Sequence, residues 1–358
     1  MFINLLKNVA AVDLFCGIGG LTYGIQQAGI KVLAGIDIDS SCKFAYEKNN
    51  NTTFINKSIE NFSADELIKI YGNHQIKILM GCAPCQPFSN YSLRYQKTGK
   101  KDKKWKLLYS FSTLIEQTTP DIISMENVPQ LEKEKVFQDF LTTLKRKGYN
   151  ISWRIVNCAE YGVPQNRKRL ILLASKLGDI HIHDPIYSPK NYKTVKEAIG
   201  FLPKIKDGEV DKFDSLHKSS KLSEINKIRI KNSIPGGSWK SWNPALILQC
   251  HLKSSGKTYS SVYGRMEWEK PSPTITTQFY GYGNGRFGHP EQDRAISLRE
   301  GALLQSFPLN YIFLNPEKPQ TNRNIGTHIG NAVPVKLGEY IGKSIIEHLK
   351  KWSEIKYE

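Results

Sequence analysis

Through the first half of the chain, short runs rich in Val, Ile, Leu and Ala alternate with longer stretches in which apolar residues recur every three or four positions. The runs are Val9 to Phe15, Val32 to Ile36, Ile76 to Met80, Asp121 to Met125, Ile151 to Asn157 and Leu170 to Ala174. Such runs mark strands covered on both faces, and the intervening period marks amphipathic helices. The expected fold class is α/β, with a mostly parallel, doubly wound, Rossmann-like sheet. The stretch from Met1 to Ala11 holds one lysine and feeds straight into a glycine-rich turn, so it reads as a first strand and not as a signal peptide. No apolar run reaches the ~18 residues of a membrane span, and a cytoplasmic location is expected.

From about residue 186 the texture shifts to Pro, Ser, Lys, Trp and Tyr with glycine-rich pieces, which predicts a smaller, irregular second domain. The helical period returns from Pro334 to Trp352, with Val335, Leu337, Ile341, Ile345 and Leu349 apolar, so the tail is expected to pack back on the first domain. The expected division is residues 1–185 completed by 320–358, and 186–319 as the second domain with its hinge.

In open sheets of this class, ligands bind outside the carboxyl ends of the strands. Four chemically suggestive segments follow predicted strands there: Cys16 to Gly20, Asp37, Gly81 to Ser89, and Glu126-Asn127-Val128. Fifty basic residues against 33 acidic ones leave a charge of +17, which favours a polyanionic partner such as nucleic acid. The six cysteines form no evenly spaced framework and read as reduced. Cys82 and Cys85 make one C-x-x-C, but no second ligand pair accompanies it, so no metal is expected.

Asp13-Leu14-Phe15-Cys16-Gly17-Ile18-Gly19-Gly20 reads as a strand entering a glycine turn that opens a helix. Glycines admit a ligand close to the backbone, and the helix start favours negative charge. Asp37 ends the next strand, where it can accept hydrogen bonds from ribose hydroxyls. A dinucleotide site or a plain tight turn would use the same residues. The segment Asp13-Leu14-Phe15-x-Gly17-x-Gly19-Gly20, however, resembles the first motif of the cytosine-C5 DNA methyltransferases. Gly81-Cys82-Ala83-Pro84-Cys85-Gln86-Pro87-Phe88-Ser89 is similar to that family's catalytic loop, Glu126-Asn127-Val128 to its acidic motif, and Gln165-Asn166-Arg167-Lys168-Arg169 to its basic motif. Lys270 to Thr277, Arg299-Glu300 with Gln305 to Pro308, and Gly330 to Pro334 resemble later motifs in the family's order. The stretch from about 186 to 262 is the least family-like.

The resemblance implies a free-standing bacterial enzyme of a restriction-modification system. It would transfer the methyl of S-adenosylmethionine to C5 of a flipped cytosine in a specific duplex DNA sequence. Cys85 would be the nucleophile that adds to C6, since C5 itself is a poor nucleophile until a thiolate makes it enamine-like. Glu126 would hold the N3 and N4 edge of the base, with a proton held or shared, and Arg167 and Arg169 would serve cytosine O2 and a neighbouring phosphate. Asp13, Phe15, Gly17, Gly19, Gly20, Asp37, Ser58, Pro84 and Asn331 would form the cofactor pocket. Ser58 stands where many family members carry an aspartate against the adenine amino group. Asn127 is expected to brace the loop.

Arg94, Lys97, Lys100, Lys101, Lys103, Lys104 and Lys106 follow the catalytic loop and predict a phosphate-gripping flap around a base that has left the stack. Trp239, Trp242, Arg265, Tyr280, Tyr282, Asn284 and Arg286 are either base readers or the core of the second domain, which on this reading recognises the target. The expected partners are double-stranded DNA and, functionally, a cognate endonuclease, with the enzyme a monomer. RNA cytosine methylation on the same scaffold is the alternative. A non-catalytic relative would be expected to lack Cys85 or Glu126, and a nicotinamide dehydrogenase gives these residues no role.

Overall fold

The structure is a computed structural model that describes residues 2–84, 106–254, 256, 258–318 and 320–357. The chain divides into two compact units. The first comprises Met1–Asn157, Lys168–Ile186 and Val333–Glu358, and the second Cys158–Arg167 with Tyr187–Ala332. Residues 158–167 and 320–332, expected with the first domain, thus cluster with the second.

The first unit carries strands β1 (Val9–Leu14), β2 (Lys31–Asp37), β3 (Thr53–Asn56), β4 (Ile76–Gly81), β5 (Ile122–Asn127), β6 (Asn150–Asn157) and β7 (Lys168–Ser175). Their order in the sheet is β3-β2-β1-β4-β5-β7-β6. The strands from β3 to β5 are parallel, whereas β7 runs antiparallel between β5 and β6. Helices α1 (Phe2–Leu6), α2 (Gly20–Gln27), α3 (Lys43–Asn50), α4 (Ala64–Tyr71), α5 (Lys106–Thr118) and α6 (Lys135–Arg146) flank this sheet. The α/β, mostly parallel expectation agrees with this sheet. Two local readings do not. Phe2–Leu6 is a short helix rather than strand, and β3 is a strand that four residues with two polar ends failed to announce.

Side chains alternate across each strand, so one strand feeds two cores. Ala10, Val12 and Leu14 of β1 join Leu79, Ile123, Leu170 and the helical residues Leu67, Phe111, Phe137 and Phe140 in one buried cluster. Asp13 points the other way, toward Thr22 of α2. Among the described residues, no helix is long and apolar enough to cross a membrane.

The second unit is short-element and loop-rich, with helices α7 (Val195–Ile199), α8 (Glu224–Lys231), α9 (Gln249–Leu252), α10 (Leu298–Leu304) and α11 (Asn322–Asn331). One of its cores gathers Leu222, Ile230, Trp239, Trp242, Tyr282 and Ala295. Another fixed point is Glu300, which caps α10 through the Ser297 amide at 2.6 Å and receives Arg294 at 2.8 and 2.7 Å, one bond to each carboxylate oxygen. Burial opposes ionisation, but the Arg294 bonds and charge prevail and hold the Glu300 carboxyl at about 2. Because the folded value lies below the ordinary ~4.3 of an unfolded glutamate, this pair stabilises the unit above that pH, and the contribution fades as pH falls toward about 2. Glu300→Gln leaves the Arg294 charge buried and uncompensated, and we expect it to cost about 3–5 kcal/mol in denaturant unfolding near neutral pH. A loss below about 1 kcal/mol would contradict this role.

The tail returns to the first unit as α12 (Val335–Tyr357), as the periodicity predicted. Its first turns cross α2 where a side chain on Gly24 would overlap the backbone of Val335 and Glu339, so only glycine permits that approach.

Candidate active site in the first unit

The carboxyl ends of β1, β4 and β5 lie in register, with Leu14 beside Gly81 and Gly81 beside Met125. Each expected segment of the first unit therefore leaves the sheet at the same edge. After β1 the backbone turns sharply. Phe15, Gly17 and Gly19 all adopt positive φ (60°, 51° and 88°), a region costly for phenylalanine and available to glycine. A side chain on Gly17 would meet nothing within 4 Å, so that face of the turn is open. One on Gly19 would collide with Asn50 and crowd Tyr46. Gly20 opens α2.

Asp37 ends β2 and ties the turn down: its Oδ2 accepts the Gly17 amide at 2.8 Å, and its Oδ1 accepts the Asp39 amide at 2.9 Å. Ile38, next in the chain, is 72% exposed. Its position just beyond a strand end was readable in the sequence, yet this exposed apolar side chain beside Asp37 was not singled out. Asn56 braces this corner by donating to the carbonyls of Asp37 at 3.1 Å and Ile38 at 2.9 Å. Ser58 caps a short turn by accepting the Glu60 amide at 3.3 Å. Beneath the glycine turn, Thr22 donates to Asp13 at 2.6 Å, and Tyr46 lies 3.1 Å from the Thr22 hydroxyl. Neither Thr22 nor Tyr46 was singled out from sequence, because their contacts span 9 and 24 residues.

The β4 segment continues through Gly81, Cys82, Ala83 and an exposed Pro84. Cys85 lies outside the described residues, as do Arg94, Lys97, Lys100, Lys101, Lys103 and Lys104 of the expected flap. Asn127 donates to the Ala83 carbonyl at 3.0 Å, the bracing expected of it. Glu126, buried at the end of β5, forms an ion pair of 2.8 Å with Arg169. The topology makes this pair: because β7 is antiparallel to β5, its first residues meet β5's last ones, with Leu170 opposite Asn127. Arg169 also donates to the Lys168 carbonyl at 2.7 Å and keeps 14% of its side chain exposed.

Two described cysteines near this edge, Cys82 of the C-x-x-C pair and Cys16, are held as thiols. Burial, then the charges of Glu126 and Asp13, push the Cys82 thiol well up, and burial with Asp13 does the same to Cys16. Neither is poised to be a thiolate, and thiolate is the reactive form.

The second unit places the remaining expected residues. Arg167, expected to act beside Arg169, is buried there and donates to the carbonyls of Ile275 at 2.9 Å and Gly330 at 3.1 Å. Two nitrogens of its guanidinium thus hold backbone segments together. Gln165 does similar work toward Leu304, Gln305 and Ile275. The later family-like motifs thus interlock with the first half of the basic motif through hydrogen bonds spanning more than 100 residues. Asn331 ends α11 with an exposed side chain. Trp239, Trp242, Tyr282 and Arg265 are buried in this unit, and Arg265 donates to the carbonyls of Ile230, His289 and Gln292. Of the two readings left open for them, core is the one observed. Tyr280, Asn284 and Arg286 are half-buried, and Arg286 donates to the carbonyls of Gly236 and Gly237.

The residues of the first unit fit an adenosyl methyl donor. The open face at Gly17, the Asp37 carboxylate and the apolar surfaces of Phe15 and Ile38 supply the contacts a nucleoside needs.

Comparison with known proteins bears on the same residues. The model of the C-5 cytosine-specific DNA methylase family matches residues 9–347. The Type II methylase M.HgiDII of Herpetosiphon aurantiacus is 53% identical over 344 residues, covering 95% of this chain and 96% of that protein. The Type II methyltransferase M1.BsuMI of Bacillus subtilis is 31% identical, covering 92% of this chain and 79% of its own length. Among solved structures, a DNA modification methyltransferase encoded within an Escherichia coli prophage shares the fold, with a TM-score of 0.71 at 21% identity, covering 96% of this chain and 99% of that one. The chain belongs to the C-5 cytosine-specific DNA methylase family and is a cytosine-C5 DNA methyltransferase.

Proposed function

We propose that this enzyme transfers a methyl group from S-adenosylmethionine to C5 of a cytosine flipped out of a specific duplex site, through a covalent bond from Cys85 to C6. The observation that carries this reading is the buried Glu126–Arg169 pair at the end of β5, beside the β4 segment that leads into Cys85. A buried acid paired with a partly exposed guanidinium at a strand end is the equipment for gripping a polar base edge.

The Cys85 thiolate adds to C6, and its electron pair makes C5 nucleophilic. Arg169, which keeps 14% of its side chain exposed, balances negative charge as it develops at the exocyclic O2, and Glu126 holds the N3 and N4 edge. S-adenosylmethionine, when bound, supplies an electrophilic methyl. Loss of the C5 proton to water and departure of the Cys85 thiolate then restore the aromatic ring, with the demethylated donor as the other product. In the bound state Asp37 would hold the ribose hydroxyls, Phe15 and Ile38 would offer apolar surface to the adenine, and Ser58 would offer it a hydrogen bond. Asn331 is assigned to the methionyl end by resemblance alone. Arg167 is a positioning residue for the backbone, in place of the substrate contact expected of it.

The second unit is proposed to recognise the DNA sequence. The net charge of +17 supports a duplex partner, and the Type II relatives support a role as the cytoplasmic modification enzyme beside a restriction endonuclease. Bisulfite sequencing of DNA from a host that expresses the chain tests the reading. It should reveal protected cytosines confined to one short sequence; protection absent from DNA, or scattered without sequence, would overturn it.

A further inference from the structure

Between Glu224 and Glu267 of the second unit the sequence holds seven lysines and arginines and no aspartate or glutamate. Lys231, Lys240 and Lys253 of this stretch are exposed, and among the described residues none of the three is held in an ion pair. In the middle stands Ile234, 60% exposed, more than any other large apolar side chain of the stretch. Its mount is rigid. Ile234 begins a four-residue turn in which Pro235 comes next, Gly236 takes a φ of 73° and the Gly237 amide donates to the Ile234 carbonyl at 3.0 Å, the type II arrangement. The Gly236 amide donates to the Arg265 carbonyl at 3.1 Å, and Arg286 donates to the carbonyls of Gly236 and Gly237. Just before the turn, the buried Ser233 hydroxyl lies 2.6 Å from the Tyr282 hydroxyl and accepts the Trp242 ring N–H at 2.9 Å. The Ile234 side chain rests along Gly237, where an added side chain would come within 2.6 Å of its Cγ1. Phe213 is more exposed, at 97%, but it shares its segment with Asp207, Glu209, Asp211 and Asp214, which oppose an approach by phosphate.

We propose that Ile234 is a specificity-determining residue that reads the 5-methyl group of a thymine in the major groove, so that the sequence this enzyme methylates contains an A·T pair. This rests on the reading that the second unit recognises duplex DNA. Unpaired lysines on an acid-free stretch suit phosphate oxygens, and phosphate contacts bring base edges within reach of the turn between them. Among the groups that bases present in the major groove, the thymine methyl is the apolar one. A β-branched side chain has few rotamers to lose, and the clamped turn has little backbone freedom left, so the contact costs little further ordering. Because the side chain rests on Gly237, it projects too little to part a base step as a wedge does, and contact with a methyl at the groove surface is what its reach allows.

The test pairs a change in the protein with a change in the base. The probe is a synthetic duplex that carries the sequence identified by bisulfite sequencing, with each thymine of either strand replaced in turn by deoxyuridine, which lacks only the methyl. Methyl transfer by the full chain is measured as kcat/KM for DNA. At one position the wild type is expected to lose about fourfold on replacement, as burial of one methyl group gives. Ile234→Ala should lose at least about as much on the thymine duplex and then show no further loss on the deoxyuridine duplex, the mark of two groups that act through one contact. The ratio between the two duplexes is taken within one preparation, so it does not depend on how much of the variant is folded. A methylated sequence without thymine, or the same ratio in wild type and variant at every thymine, would overturn the proposal. Failure of the wild type to methylate any duplex sequence specifically would instead overturn the reading on which it rests.

Discussion

Cys85→Ala is expected to lower methyl transfer at least about 10⁴-fold, on the scale of deleting a covalent nucleophile, while S-adenosylmethionine still binds. The size follows from the chemistry: without addition at C6, nothing makes C5 electron-rich enough to take the methyl, so positioning alone is left. Radiolabelled methyl incorporation and cofactor affinity, measured on the same preparation, separate the two effects. The companion Cys82→Ala supplies the contrast. Burial and the neighbouring carboxylates keep that thiol protonated, so its loss should leave turnover within about tenfold of wild type, as a packing change near the site. Turnover near wild type in Cys85→Ala, or its collapse in Cys82→Ala alone, would reverse the assignment within the C-x-x-C pair.

Glu126→Gln is expected to lower kcat by about 10²–10⁴-fold, the range for a group that handles a proton or developing charge in the transition state. Arg169→Met should fall in the same range, because the two side chains form one buried pair at 2.8 Å. For the same reason the double variant should lose much less than the product of the single losses, as coupled neighbours do. Arg167→Met makes the comparison informative. That guanidinium donates to the carbonyls of Ile275 and Gly330, so the variant should unfold at lower denaturant concentration while its folded fraction retains activity. Equal kinetic losses in the two arginine variants, with no change in stability, would contradict the division of labour between them.

How much of this was legible before the structure depends on the range of the interactions involved. Long apolar runs gave away the central strands, because a strand buried on both faces leaves little room for polar residues. The four-residue β3 and the helix at Phe2–Leu6 were illegible for lack of length. The strand-end rule placed Asp37 and Glu126 correctly at one edge of the sheet, and it also pointed to Gly17 and Gly19. What it could not supply was the antiparallel insertion of β7, and with it the reason that Arg169 rather than Arg167 meets Glu126. The two arginines are alike in sequence and differ in the partners they meet. Trp239, Trp242 and Tyr282 show the same limit: an aromatic cluster in a basic segment reads equally as base-stacking surface or as core, and only burial decides. The hydroxyl cradle under Asp13 was invisible because Thr22 and Tyr46 sit on two different helices.

The central claim is a covalent bond between one cysteine and the base, and trapping that bond tests it most directly. Duplex DNA in which cytosine is replaced by 5-fluorocytosine carries a fluorine where the departing proton should be, so addition and methyl transfer can proceed but elimination cannot. Incubated with this DNA and S-adenosylmethionine, the enzyme is predicted to form a denaturant-resistant adduct, with mass spectrometry of its peptides locating the modification on Cys85. An adduct on Cys82, or methyl transfer to ordinary cytosine with no adduct on the fluorinated duplex, would contradict the account.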